Sequence, residues 1–426
     1  MIELREYNKE GPDAFTYGVE LVKRTTGTTY NINAFVDELN VWESLFAKSM
    51  QCSILMTDGA GLIDTAAIQP GDRVHVVLYQ GTENKHKIDK VFDIMSMGAG
   101  AQTTNKQGRV YTLSCVTAPA TYNKISVVNK ALSGKISDMV KDVAKTYLRI
   151  EDVEVEETDG DKKSVVAPGK KPFRMLDWLG MQAVSVENGV DNSLYFFYED
   201  RDGFRFLTAK KIISRATTHE YTMTGDSGRT KDKDDIYRIL SWQQNRNGSN
   251  ASRLDNGMIE NEIMEFDIKN RSITSSKFSF KDKHPAIALL ASNPVVDVKN
   301  ELEGLEQLAV KAKGVLAALR VRGNDAAYGE TNTYARKHSA MLAQKNAMNQ
   351  VSYSFGFGGN SAVKAGDLID VNAKDLSAKE LKEMDVMLNG KFLIGNVRHQ
   401  VLAAKQYNTT VDVFKDGYDT AYTEKK

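Results

Sequence analysis

Cysteine is almost absent: two thiols, Cys52 and Cys115, stand in 426 residues. A chain so poor in cysteine is not a disulfide scaffold, and two isolated thiols cannot build a zinc site without several histidines beside them. The expectation is a protein folded in a reducing cytosol. Net charge is missing too, since 56 Lys and Arg balance 56 Asp and Glu. That balance argues against a nucleic-acid binder that works by neutralising phosphates, although it leaves room for a local basic patch. No apolar run approaches the roughly eighteen residues that span a bilayer. The opening, "MIELREYNKEGPDAF", carries acidic residues and no apolar stretch, so it does not read as a secretion signal.

Catalytic signatures are missing as well. Six histidines, His75, His86, His219, His284, His338 and His399, lie apart with no HExxH or comparable cluster. Each reads as a surface or satisfied structural residue. The glycine-rich stretches "DGAG" (58–61), "GAGA" (98–101) and "FGFGGN" (355–360) lack the Lys-Ser/Thr of a phosphate loop. None runs from strand to helix with dinucleotide spacing, and they read as turns. Glu199, Asp200 and Asp202 suggest the paired carboxylates of glycoside hydrolysis. They fall at a hairpin tip, where carboxylates are normally solvated, and the solvated reading is preferred. No GxSxG elbow or Cys/His pair occurs. Trp42, Trp178 and Trp242 follow the apolar positions of their segments and read as core or interface aromatics. The pattern names no catalytic, cofactor-binding or metal-ligating residue, and the chain is expected not to be an enzyme.

What is present is β-structure in two blocks. Over the first 120 residues, "YGVELVKRTT", "TYNINAFVDELNVWESLF" and "SMQCSILMTDGAG" alternate apolar and polar residues, with Asp58-Gly59 as a turn. Pro70-Gly71-Asp72 makes a second turn, and "RVHVVLY", "KVFDIMSM" and "GRVYTLSCVTA" follow as strands, a spacing that suggests a barrel or sandwich. In "KISDMVKDVAKTYL" (135–148), Ile136, Met139, Val140, Val143, Ala144 and Tyr147 recur at three and four, one face of an amphipathic helix. A second helix is expected in "KPFRMLDWLGMQAVS", with Pro172 in its first turn. "SLYFFYED-RDG-FRFLTAKKI" reads as a β-hairpin. Strands resume with "DDIYRILSWQQN", "GMIENEIMEFDI" and "SSKFSFKDK". Leu302, Leu305, Leu308, Ala312, Val315, Leu316 and Leu319 predict a helix over 299–322, stopped by Gly323, and "ARKHSAMLAQKNAMNQ" predicts another. "VSYSFGFGG", "GDLIDV", "GKFLIGNVRHQVL" and "YNTTVDVFKDG" close the chain as strands.

The two blocks repeat. "GDRVHV" (71–76) parallels "GDLIDV" (366–371), "KVFDIMSM" (90–97) parallels "KFLIGNV" (391–397), and "VYTLSCV" (110–116) parallels "YNTTVDV" (407–413). Gly-Asp before a strand is common turn chemistry, so one match carries little. Three in the same order point to two related β-domains. Three such chains closed into a ring would surround its axis with six similar domains, pseudo-sixfold on one face and threefold elsewhere.

Residues 39–72, "LNVWESLFAKSMQCSILMTDGAGLIDTAAIQPGD", resemble the N-terminal region of central hub proteins from baseplates of contractile-tailed bacteriophages. The matching features are Trp42-Glu43-Ser44, the strand Cys52–Thr57, Asp58-Gly59 and Gly71-Asp72. The helix and hairpin segments of 135–208 resemble that family's middle domain, and "GKFLIGNVRHQV…QYNTTVDVFKDGY" its closing strands. The resemblance is weakest over roughly 223–350. It implies an α+β, mainly β fold: two tail-tube-like antiparallel β-barrel domains with an inserted α+β domain and helical connections. The division expected is 1–118 for the first barrel, 119–222 for the inserted domain, and 223–298 for the first part of the second barrel. A helical segment then covers 299–350, and 351–426 complete the second barrel with a C-terminal extension.

As function the resemblance implies the structural hub of a tail baseplate, a homotrimer joining the hexameric tail tube to a trimeric central spike, with no cofactor. Its implied partners are itself, the tube protein and the spike, with tape-measure and wedge proteins as further contacts. Neither specific nucleic-acid binding nor membrane insertion is implied. The place implied is the virion, after assembly in the host cytoplasm, and no fused spike domain is expected after "DTAYTEKK". Two other readings stay open: a tail-associated cell-wall hydrolase, and the hub of a related bacterial contractile injection or secretion machine.

Overall fold

The computed structural model describes residues 2–8, 14–81, 86–98, 101–102, 108–160, 163–167, 169–223, 236–246, 257–258, 260–267, 271–280, 290, 293–294, 315–322, 332–373, 388–403 and 405–418. The first β block forms β1 (Phe15–Val22), β2 (Val36–Ser44), β3 (Gln51–Asp58), β4 (Arg73–Gln80), β5 (Ile88–Met97) and β6 (Arg109–Thr117). Period-two patterning makes them strands. Along β3, Cys52, Ile54 and Met56 are buried while Ser53, Leu55 and Thr57 between them are partly exposed. The strands pair antiparallel in the order β1-β4-β5-β6-β3-β2. They curl around a core of Val19, Leu39, Ile54, Val76, Phe92 and Leu113.

Residues between the two β blocks build a third core. Helix α1 (Ile136–Leu148) buries Ile136, Met139, Val140, Val143 and Ala144, the face its spacing predicts. Helix α2 (Pro172–Gln182) starts on its proline, whose fixed φ and missing N–H suit a first helical turn. Both cover the hairpin β7 (Tyr195–Asp200) and β8 (Gly203–Thr208), which turns at Arg201-Asp202.

The later strands are β9 (His219–Met223), β10 (Ile239–Arg246), β11 (Glu260–Asp267), β12 (Ser272–Ser279), β13 (Val315–Arg322), β14 (Val351–Gly358), β15 (Leu368–Ala373), β16 (Gly390–Leu402) and β17 (Gln406–Lys415). Helix α3 (Asn332–Met348) precedes β14. Strands β12, β11 and β13 form a separate sheet. Here the predicted helix over 299–322 is corrected: residues 315–322 are a strand, parallel to β11, while 299–314 and Gly323 lie outside the described residues. Leu319-Arg320-Val321-Arg322 alternates with period two, and the open edge of β11 offers that pattern a backbone partner, which outweighs helical spacing.

The second module pairs in the order β9-β15-β16-β17-β14-β10 around Tyr353, Phe355, Val371, Phe392 and Val411. Taken along the chain, β9, β10, β14, β15, β16 and β17 occupy the places of β1 to β6. The end strand differs, since β1 runs antiparallel to β4 and β9 parallel to β15. The irregularities repeat as well. A bulge falls between Ile94 and Ser96 in β5 and between Ile394 and Asn396 in β16. Another falls between Val36 and Glu38 in β2 and between Ile239 and Ser241 in β10. Bulges bend and twist a strand, so matching bulges mean matching curvature.

The Gly-Asp phrase is one corner used twice. Gly71 N–H donates to the Ile94 carbonyl at 2.8 Å, and Ile94 N–H donates to the Asp72 carbonyl at 2.8 Å. Gly366 N–H donates to the Ile394 carbonyl at 2.8 Å, and Ile394 N–H donates to the Asp367 carbonyl at 2.9 Å. Both glycines hold positive φ, 99° and 86°. One expected match is shifted. Val110 lies opposite Thr57 and Asn408 opposite Gly358, equivalent places, so 110–116 correspond to 408–414 and not to 407–413. A slip of one residue would set buried Cys115 against half-buried Asp412 instead of buried Val413, on the opposite face of the sheet.

The modules are fused along β2 and β16, from Ser44↔Asn396 to Glu38↔Leu402. Truncation before Gly366 removes β15, β16 and β17 and uncovers Leu39 and Val41 on β2. The expected result is insoluble protein, read as the soluble fraction after expression; a soluble fragment with native circular dichroism contradicts this account. Gly71→Ala strains φ with nothing within 4 Å of the new Cβ, whereas Gly366→Ala also sets that carbon 2.8 Å from the Tyr198 hydroxyl. Urea denaturation should show a loss of about 1–3 kcal/mol for Gly71→Ala and a larger one for Gly366→Ala.

Candidate assembly interface

Sequence reasoning put Glu199, Asp200 and Asp202 in solvent. The structure corrects this: Glu199 is 3% exposed and Asp200 is fully buried, while Asp202 stays half exposed. The hairpin tip is wedged between the two modules. Glu199 accepts hydrogen bonds from the Met50 N–H at 2.9 Å and the Thr117 hydroxyl at 2.5 Å, with Lys90 Nζ at 3.3 Å, all on the first module. Asp202 meets Lys364 Nζ of the second module at 2.6 Å, and Arg201 donates to the Ser361 carbonyl. Asp200 caps its own turn, accepting from the N–H groups of Asp202 and Gly203, and pairs with Arg205 at 2.6 Å. These carboxylates act as fasteners with their oxygens engaged.

Glu43 on β2 lies in the same junction. Its Oε2 accepts from the Ala365 N–H at 3.3 Å, and its Oε1 is buried with no hydrogen-bond partner. Burial, with the Asp200 charge adding to it, pushes the Glu43 carboxyl up to about 8. The two corner aspartates diverge. Burial drives Asp367 up to about 6 despite Lys364. Burial also opposes the charge on Asp72, but there Lys23 Nζ at 2.5 Å and the N–H groups of Arg24 and Gln69 hold it below the usual range.

The other candidates take structural places. His399 is fully buried beside the Tyr407 hydroxyl at 2.8 Å, and burial drives its pKa down to about 3. His75 meets Asp89 at 2.6 Å, and His219 stacks on Tyr237. His284 lies outside the described residues. "DGAG" leads into a short helix, Leu62–Ala66, where Asp58 accepts from the N–H groups of Ala60, Leu62 and Ile63. Its own carboxylate holds the place a phosphate would take. "FGFGGN" is not simply a turn, because residues 355–358 belong to β14. Trp42 lies under the Arg398 guanidinium and Trp178 under Lys170. Among the described residues, no group of three or more His, Cys, Asp or Glu is arranged to hold a metal ion, and no helix is long and apolar enough to cross a membrane.

Trp242 departs from the core reading, being 46% exposed. It lies on β10, the outermost strand of the second module, where Leu240 is 42% exposed and Ser241, Gln243, Gln244 and Asn245 are exposed too. Among the described residues β10 pairs with one neighbour, β14, over its length. The local pattern gave no sign of this: Trp242 stands in "SWQQN", a strand segment with none of the charge that usually marks an edge left in water.

Solved structures with a similar overall fold are known. The tail protein from Neisseria meningitidis MC58 matches with a TM-score of 0.58 and 11% identity over 94% of this chain and 97% of that one. The fold here is similar to that of this tail protein. The 43 kDa tail protein of prophage MuSo2 from Shewanella oneidensis shares it, with a TM-score of 0.57 and 13% identity over 95% of this chain and all of that one. No known family and no curated protein matches the sequence. Within this fold the buried junction ties the two modules together, and among the described residues the outer edge of β10 stays unpaired.

The junction gives a pH prediction. Unfolded, Glu43 loses its proton near 4.5; folded, it keeps it to about 8. The folded chain therefore binds the extra proton in this window, and stability falls as pH rises from 4.5 to 8. Glu43→Gln keeps the shape and cannot ionise. Its melting temperature should exceed wild type at pH 8, with the gap narrowing toward pH 5. A gap independent of pH would mean that Glu43 is ionised in the fold.

Proposed function

We propose that this chain is the structural hub of a phage tail baseplate. Three copies close into a ring of six similar modules. One face of the ring meets a sixfold tail tube and the other holds a trimeric central spike, with tape-measure and wedge proteins as further contacts in the virion. The role is mechanical, not enzymatic.

One observation carries the reading: the two modules share strand order, both bulges and the Gly-Asp corner, and are already joined edge to edge. A step that relates unlike patches closes into a ring when its repeats complete one full turn without a rise, and winds into an open filament otherwise. A chain that builds two near-equivalent positions lets three copies present six to a sixfold neighbour and three to a threefold one. The tail-protein fold supports the same reading. The polar junction supports it too, since a load-transmitting adaptor needs its modules fixed in one mutual orientation. Stable rings of this kind bury on the order of 2,000 Å² or more per obligate interface.

The test is mass in solution. Light scattering of the purified chain should give a particle of three 47.3 kDa chains, and with spike protein added a heavier particle that still holds three of them. A strict monomer at high concentration with spike present sinks the proposal.

A further inference from the structure

The open edge of β10 has a counterpart on the same chain. We infer that β10 adds antiparallel to the free edge of β5 and the following strand, Ala101–Gln102, in a second copy. This repeats between chains the β2–β16 seam made within one. The inference rests on the hub reading and names the surface through which its copies meet.

Strands β2 and β10 hold the same place, outermost in their modules, with the same bulge and the same kind of partner. The free side of β2 is taken by β16 at residues 396–402. On β5 the matching stretch begins at Ser96. Strand β4 stops pairing with β5 at Asp93, as β15 stops pairing with β16 at Leu393. Beyond that point Ser96 and Met97 pair with β6 alone among the described strands, and Ala101–Gln102 extends the same ladder against Val110 and Arg109. Among the described residues the chain thus has one used donor edge and one used acceptor edge, and one open edge of each kind in matching places.

Burial shows what is missing. Leu39 on β2 lies opposite Ile54 and is fully buried. Its counterpart Trp242 lies opposite core residue Phe355, so it sits on the core face of its sheet, yet it is 46% exposed. The core is open where a strand like β16 would lie. Residues 239–245 contain no charge and no proline, the usual guards of an edge left in water. A second copy is the occupant that fits, because the seam has already been built once from this chain's own strands.

The intramolecular pairs Trp42↔Arg398, Asn40↔Gln400 and Leu39↔Val401 transfer to a register between copies. They place Arg246 opposite Gly98, Gln243 opposite Ala101, and Trp242 opposite Gln102. Cross-strand partners bring Cβ atoms to about 4.5–5.5 Å, near enough for a disulfide with slight adjustment. The test is therefore a chain carrying Ala101→Cys with Gln243→Cys, oxidised in its native state. Cys52 and Cys115 are buried and do not compete. Non-reducing gels should show a covalent ladder ending at three chains, and a mixture of the two single variants should stop at two. Ile273→Cys in place of Gln243→Cys, at an exposed site on β12, should give no ladder. Trp242→Lys should weaken the trimer at least tenfold while leaving circular dichroism unchanged. A trimer by light scattering with no ladder, or with unaltered affinity in Trp242→Lys, overturns this edge and leaves the hub reading standing. A monomer at every concentration, with spike protein present, overturns both.

Discussion

An open strand edge is a row of unmet backbone donors and acceptors, and the architecture of this chain follows from where its edges are met. Strand β2 cannot end its module in water, because Leu39 and Val41 on its core face need a neighbour. Strand β16 supplies it by running to Leu402, well past the point where β15 leaves it at Leu393. That single over-long strand serves two modules at once. It completes the ladder of its own and closes the core of the other, so Val401 and Tyr407 from the second module belong to the first module's core. The first module is not a free-standing unit on these terms.

The second constraint is polar. Two β modules meeting along one seam could still hinge about it. The β7–β8 tip prevents this by reaching both, with Glu199 held by Met50, Thr117 and Lys90 and Asp202 held by Lys364. Buried carboxylates cost stability unless their oxygens are engaged. Breaking such contacts is expensive because it strands a charge, so the mutual orientation of the modules is held sharply rather than merely favoured. Glu43, with one oxygen unsatisfied, shows the cost directly in its raised pKa. The proposed ring would gain from this, since its step between modules within a chain must equal its step between chains.

Much of the fold was legible. Period-two alternation located the strands of both modules except β9 (His219–Met223), which was read as part of the inserted domain, and spacing at three and four located α1 and α2. The Gly71-Asp72 and Gly366-Asp367 phrases pointed to a repeat, and the structure gives both the same hydrogen bonds to Ile94 and Ile394. Short apolar runs were less legible. Val315–Arg322 satisfies a helical and an extended pattern, and pairing with β11 decided it. The last repeat match slipped by one residue, because alternation fixes a period without fixing its phase.

The sequence by itself determined the secondary structure of the two modules, β9 apart, and their kinship, because these depend on local periodicity and residue chemistry. Tertiary structure alone decided which edges meet, that Glu199 and Asp200 are buried, and that Trp242 is not. Those outcomes depend on residues hundreds of positions apart arriving at one place, and neither hydrogen-bond pairing nor burial across such distances leaves a mark on the local pattern.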